Sequence, residues 1–165
     1  MPVLDVLRKD DGHVAVAHEN LVIVVWKSAP DAATCHALYD LGVSVARNHR
    51  TGKISVLSVL QPVGSAPSAS AREAIGDLHE DPERVVHRTA VVLPQAGFIA
   101  AAIRSIILTA TQRSDRRRGH GVFSTIDEAL TWVVEDLPTA PGHGISVPAL
   151  LDALGGSGYL GTRRT

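Results

Sequence analysis

The chain has 165 residues, of which 45% are hydrophobic, 20% charged and 4% aromatic, with a formal net charge of −1. These values are typical of one globular domain with a short extension and exclude a disordered or fibrous chain. A near-neutral chain has no overall field to attract nucleic acid or an anionic membrane. There is no apolar run of membrane-spanning length, no signal-peptide stretch and only one cysteine, so we expect a cytoplasmic protein without membrane insertion.

Taken in chain order, the apolar patterning predicts the core elements β-β-α-β-α-β-α-β-α. The strand segments are short runs rich in β-branched residues, and the helices repeat apolar residues at three- and four-residue spacing. Predicted strands cover residues 13–18, 21–27, 53–60, 85–93 and 120–123, after a short strand or ordered arm at 3–7. Predicted helices cover residues 31–47, 70 to about 81, 98–110 and 125–137.

Three of these helices begin with a residue able to cap free backbone N–H groups. Asp31 precedes the first helix as its N-cap. Ser70 with Glu73, and Thr125 with Glu128, form capping boxes in which the two side chains satisfy each other's backbone donors. These local signals therefore fix where the helices should start.

Alternation of strands and helices predicts an α/β fold with a mixed, mainly parallel sheet, an N-terminal hairpin and about four helices. Right-handed crossovers would join the parallel strands. The helix at 98–110 should be a principal core element, because its apolar residues form one stripe. That stripe consists of Phe98, Ile99, Ala102, Ile103, Ile106, Ile107 and Ala110.

The composition changes near Pro138, which predicts a domain over residues 1–137 and an extension over 138–165. The extension contains a linker, a short helix at 146–154 and a mobile C-terminal end. Leu150, Leu151 and Leu154 would give this helix an apolar face. A helix this short needs packing to persist, so we expect it to dock on this domain or on a second subunit.

Two segments, together with the element order over residues 13–137, resemble a known family. They contain Phe98, Ala101, Ala102 and Arg104, and then Val122, Phe123, Glu128, Ala129 and Trp132. The chain resembles the STAS domain of bacterial anti-sigma-factor antagonists and the related STAS/Sec14-like small proteins. The resemblance implies a non-catalytic regulatory or protein-interaction module with a protein partner, phospho-switched or small-ligand-binding, and compatible with a homo-oligomer.

Many STAS regulators carry a phosphorylatable residue in an Asp-Ser-Ser-Gly turn between the third strand and the second helix. The matching loop here contains Ser65, Ser68 and Ser70, without that Asp and the following Gly. A phosphate at this helix start would meet free N–H groups and the positive end of the helix dipole. The three serines are therefore candidate switch or partner-contact residues, and a plain N-cap role for Ser70 is the alternative.

A second hypothesis is a small enzyme or sensor with a pocket at the carboxyl ends of the parallel strands. His36 and Asp40 lie one helical turn apart, and Cys35 lies near a helix start that can lower a thiol pKa. The alternatives are a surface pair and an inert, packed cysteine. No metal or cofactor is predicted, because none of the eight histidines has a zinc-type spacing. One of these histidines, His87, is predicted to be half-buried on its strand.

A third hypothesis concerns one dense basic cluster, which could bind anions such as the phosphates of nucleic acid. The cluster consists of Arg113, Arg116, Arg117 and Arg118. The near-neutral chain and the lack of a neighbouring aromatic residue favour a solvated loop, so nucleic acid is a weaker prediction than a protein partner.

Overall fold

A computed structural model describes residues 1–61, 66–93, 97–112 and 119–160 of the chain. The strands are β1 Asp5–Lys9, β2 His13–His18, β3 Leu21–Trp26, β4 Ile54–Leu60, β5 Val86–Val92 and β6 His120–Phe123. The helices are α1 Ala32–Asn48, α2 Ala69–His79, α3 Phe98–Gln112, α4 Ile126–Val134 and α5 Val147–Gly156. Across these described ranges, no helix combines the length and the apolar character that a membrane span requires.

The six strands form one sheet in which they lie in chain order from β1 to β6. Strands β1, β2 and β3 pair antiparallel, whereas β3, β4, β5 and β6 pair in parallel. The α/β fold, its mixed sheet and the N-terminal hairpin are thus confirmed. The arm predicted at 3–7 contributes to β1, which pairs with β2 through an irregularity between Val6 and Arg8.

Helices cover both faces of the sheet. Parallel strands that advance in one direction through right-handed crossovers place the connecting helices on one face. Buried residues of α1, α2 and α3 accordingly pack with Val22 and Val24 of β3. Buried residues of α4 and α5 pack instead with Ile23 and Val25, which alternate with them along the same strand. This arrangement explains why β3 is apolar throughout.

Two of the predicted N-caps are present as expected. Asp31 Oδ1 accepts a 2.9 Å hydrogen bond from the backbone N of Thr34 at the start of α1. Thr125 Oγ1 accepts a 3.4 Å hydrogen bond from the backbone N of Glu128 at the start of α4. Each bond satisfies one of the backbone donors that a helix start leaves without an intrahelical partner.

Strand β5 contains one residue more than the part of β4 beside it. Ile54 pairs with Val86, but Val56 pairs with Thr89, so β5 advances three residues where β4 advances two. The extra residue breaks the simple alternation expected along this strand. His87 is half-buried with Nε2 3.4 Å from the carbonyl oxygen of Glu135, while Thr89 lies on the opposite face with α1–α3.

The helix predicted in the C-terminal extension is present as α5 and docks on this domain. Ser146 Oγ accepts a 3.5 Å hydrogen bond from the backbone N of Ala149. Leu150 and Leu154 are completely buried in the same core cluster as the buried residues of α4. Gln61 Nε2 also donates to the carbonyl oxygen of Tyr159, which ties the segment after α5 to the end of β4.

Candidate functional site: a cavity between the sheet and three helices

A cavity of about 170 Å³ lies between the sheet and helices α1, α2 and α3. We call it the interlayer cavity. Its walls are mainly aliphatic side chains from both layers. On the sheet side these include Val22, Val24, Val56, Val86 and Val91, and on the helix side Leu38, Ile75, Leu78, Ile103, Ile106 and Ile107.

The side chains facing this space explain why it is not filled. Ser58 occupies the middle of β4 and Cys35 the first turns of α1, and both are small. Protein interiors normally contain few voids larger than a water molecule. A dry cavity of about 150 Å³ lined by aliphatic and aromatic groups can hold benzene. The interlayer cavity therefore has room for an apolar body of about six to eight heavy atoms.

Two polar groups in the cavity wall stay protonated at neutral pH. Burial raises the pKa of Cys35 to about 11, aided by the Asp31 carboxylate, so the hypothesis of a thiol with a lowered pKa is wrong. Desolvation outweighs any effect of the helix start here. Tyr39 Oη donates to Asp81 Oδ1 at 2.9 Å and accepts from the backbone N of Glu83 at 3.0 Å. Burial raises the pKa of Tyr39 to about 12.

His79, the last residue of α2, is a cavity residue that the sequence patterns did not single out. Its Nδ1 lies 2.6 Å from the carbonyl oxygen of Ile75. A carbonyl only accepts, so Nδ1 carries the proton and Nε2 presents a lone pair. That Nε2 is buried and has no hydrogen-bond partner among the described residues. Burial lowers the pKa of His79 to about 4, with a further contribution from His120, so the ring is neutral at pH 7.

A second cavity of about 420 Å³ adjoins the first where β4, β5 and β6 begin. We call it the vestibule. It shares four wall residues with the interlayer cavity, namely Leu78, His79, Val86 and Thr89. Its other wall residues are mostly polar and include Lys53, Asp81, Arg84, His87 and His120. The ring of His79 stacks on that of His120, with a centroid separation of 4.8 Å, and this pair marks the junction of the two spaces.

The serine segment predicted as a switch lies beside the other end of the interlayer cavity. Pro67 lines the cavity, and Ser68 caps α2 by accepting a 3.2 Å hydrogen bond from the backbone N of Ala71. The N-cap prediction for Ser70 is therefore wrong: Ser68 has the extended backbone of a cap, and Ser70 already belongs to the first helical turn. Both serines are exposed, with their Oγ atoms 3.1 Å apart. Ser65 lies outside the described residues.

The structure does not bring together the residues proposed for an enzyme or sensor site. Cys35 lines the interlayer cavity, but His36 and Asp40 are exposed on α1 and are not among its wall residues. Within the described ranges, no group of three His, Cys, Asp or Glu side chains is placed to hold a metal ion. The basic cluster of Arg113, Arg116, Arg117 and Arg118 lies outside the described residues.

No family model, curated protein or solved structure matches the chain. Inferences about a ligand therefore rest on the shape and chemistry of the cavities among the described residues. The interlayer cavity has mainly apolar walls with a few neutral polar groups, and the charged vestibule adjoins it at one end. These are features of a small-molecule site, which is typically a concave, mainly apolar space with a few polar groups.

Proposed function

We propose that this chain is a non-catalytic regulatory module of STAS type that binds a small, mainly apolar ligand in the interlayer cavity. The observation that carries the proposal is the cavity of about 170 Å³ with mainly aliphatic walls from three strands and three helices. Transfer of apolar surface from water into such a space contributes about 25 cal/mol per Å². A preformed cavity adds affinity because little of that energy is lost in reorganisation.

The protonation states of the wall residues support binding rather than catalysis. Nucleophilic or acid–base catalysis needs a group whose pKa lies near the working pH or an activated nucleophile. Cys35 and Tyr39 have raised pKa values and His79 a lowered one, so each stays uncharged at pH 7. These groups are suited to hold a ligand by packing and hydrogen bonding.

The position of the serine segment supports a regulatory role. Pro67 contacts the cavity and directly precedes the capping residue Ser68, so a ligand pressing on Pro67 would also alter the start of α2. Ser68 and Ser70 are exposed there and accessible to a partner or a kinase. We propose that this segment reports occupancy of the cavity to a protein partner in the cytoplasm, or to a second copy of the chain.

Titration of the full chain with 1-octanol, followed by amide NMR, tests the ligand site. We expect saturable shifts for residues around the interlayer cavity. Ser58→Leu should weaken binding at least tenfold, since the larger side chain occupies the cavity, whereas Ser44→Leu, the same change at an exposed position of α1, should leave it unchanged. Absence of binding, or equal binding by both variants, would contradict the ligand site.

The same titration tests the link to the serine segment. We expect the amide signals of residues 68–71 to move with the same saturation curve as those of the cavity wall. If the cavity fills while these amides keep their positions, occupancy does not reach the start of α2. In a separate experiment, Ser68→Glu and Ser70→Glu are tested for partner binding, with the fold checked in parallel. Partner binding that is unchanged by both substitutions would contradict the switch.

A further inference from the structure

We infer that the ligand is amphipathic, with its apolar chain in the interlayer cavity and a carboxylate head in the vestibule beside Lys53 and Arg84. This inference rests on the proposed function. The two spaces share Leu78, His79, Val86 and Thr89 as wall residues and are therefore neighbours, and the inferred ligand runs from one into the other past these side chains. The chemistry changes at that junction, from aliphatic walls to charged and imidazole side chains.

The cationic side chains of the vestibule are placed to receive an anion. Lys53 Nζ donates a hydrogen bond to the main-chain oxygen of Arg84, which keeps the two residues together in the vestibule wall. Neither side chain forms an ion pair with a carboxylate among the described residues. Two adjacent cations without a described counter-ion favour a negatively charged group between them.

The one described carboxylate in the vestibule wall is already compensated by donors. Asp81 is buried and accepts hydrogen bonds from Tyr39 Oη and from the backbone N atoms of Val85 and Val86. Lys53 and Arg84 together carry two formal positive charges against the one formal negative charge of Asp81, so these three side chains leave the vestibule wall positive toward a ligand head.

His79 determines where the head must lie. Its neutral ring presents only a lone pair at Nε2, so it cannot donate a hydrogen bond to a carboxylate. An anionic head is thus disfavoured inside the apolar cavity and at the junction, and becomes favourable only beyond His79. The cavity volume of about 170 Å³ matches a tail of about six to eight carbons. A medium-chain carboxylic acid fits both conditions.

A matched pair of ligands, octanoate and 1-octanol, separates the two parts of the site. Affinities are measured by calorimetry with the full chain at low salt and again at 0.5 M salt. We expect octanoate to bind about fivefold to tenfold more tightly at low salt, and the difference to shrink at high salt, where charges beyond a few ångströms are screened. The Lys53→Gln/Arg84→Gln double variant should bind octanoate no better than octanol.

The control removes one positive charge at the carboxyl ends of the parallel strands, the end away from the vestibule. Lys27→Gln, at an exposed position after β3, should leave both affinities unchanged. If the double variant loses its fold, Arg84→Gln alone serves, since its guanidinium makes no hydrogen bond with the described residues. Equal affinities for the two ligands, or an octanoate preference that survives the charge variants, would overturn the carboxylate head and leave the apolar site standing. Failure of both ligands to bind would instead contradict the proposed function itself.

Discussion

The guanidinium carbon of Arg88 lies 4.9 Å from the centroid of the Trp132 ring, and Arg88 Nη1 donates a 2.7 Å hydrogen bond to the carbonyl oxygen of Trp132. Arg88 lies in the irregular part of β5 between Val86 and Thr89, and Trp132 belongs to the last turn of α4. The carbonyls in the last turn of a helix lack intrahelical partners, so this bond satisfies one of them. One arginine thereby joins the sheet to α4 through a cation–π contact and a helix-end hydrogen bond.

We expect Arg88→Lys to lower the free energy of unfolding by about 1 to 2 kcal/mol, because an ammonium cannot combine ring stacking with this hydrogen bond as a planar guanidinium does. Glu135, whose Oε2 lies 2.9 Å from Arg88 Nη1, has a side chain that is 62% exposed. Glu135→Gln should therefore change stability by less than about 0.5 kcal/mol. Urea denaturation of both variants checks this, and equal losses would show that the ion pair matters more than the contact with Trp132.

Ile103 tests the assignment of the buried face of α3. It is 6% exposed and lines the interlayer cavity. Ile103→Asp should unfold the domain, because an unpaired carboxylate in apolar surroundings costs more than a marginally stable fold can tolerate. Leu108→Asp, on the same helix at a position that is 50% exposed, should melt close to wild type. Circular dichroism melts of the two variants check the prediction, and a wild-type melt for Ile103→Asp would mean that the face is misassigned.

The parts of the fold that the sequence predicts are those set by local signals. Asp31 and Thr125 begin helices because a short polar side chain can accept from a backbone N–H three residues later, whatever the rest of the chain does. The start of α2 is a different case. Ser68 and Ser70 are both capable caps, and the path of the chain into the helix selects Ser68.

The cavity could not be predicted, because its existence depends on the spacing between layers. No residue pattern in the sequence gives the distance between the sheet and helices α1, α2 and α3. The extra residue of β5 could not be predicted either, because it becomes evident only from the pairing of β5 with β4. His79 lacks any motif, and its neutral, unpaired Nε2 results from burial against His120 and Ile75 in the folded chain.

Acid should destabilise the fold through His79. In the unfolded chain this histidine takes up a proton near pH 6.5, but burial lowers its folded-state pKa to about 4. Between these values the unfolded state binds more protons, so the contribution of His79 is full above pH 6.5 and declines as the pH falls to 4. The expected loss is on the order of 2 to 3 kcal/mol.

Denaturant unfolding of wild type and His79→Gln across pH 7 to 4 isolates this contribution, because the other titrating groups are common to both proteins. Glutamine does not titrate, so the variant should show a shallower fall in stability over the window. His36→Gln, at an exposed position of α1, should follow the wild-type curve. Parallel curves for wild type and His79→Gln would contradict the lowered pKa.

Helix α5 should contribute directly to the stability of the domain. Leu154 is completely buried in the cluster that includes α4, so Leu154→Ala leaves a cavity beneath the sheet and should cost about 2 to 4 kcal/mol. Asp152→Ala, on the same helix at an exposed position, should cost less than about 0.5 kcal/mol. Truncation after Pro138 removes the whole helix and should expose core amides of β3 and α4 to hydrogen exchange. Unchanged protection after truncation, with light scattering giving one unchanged oligomeric state, would mean that α5 does not cover this face in solution.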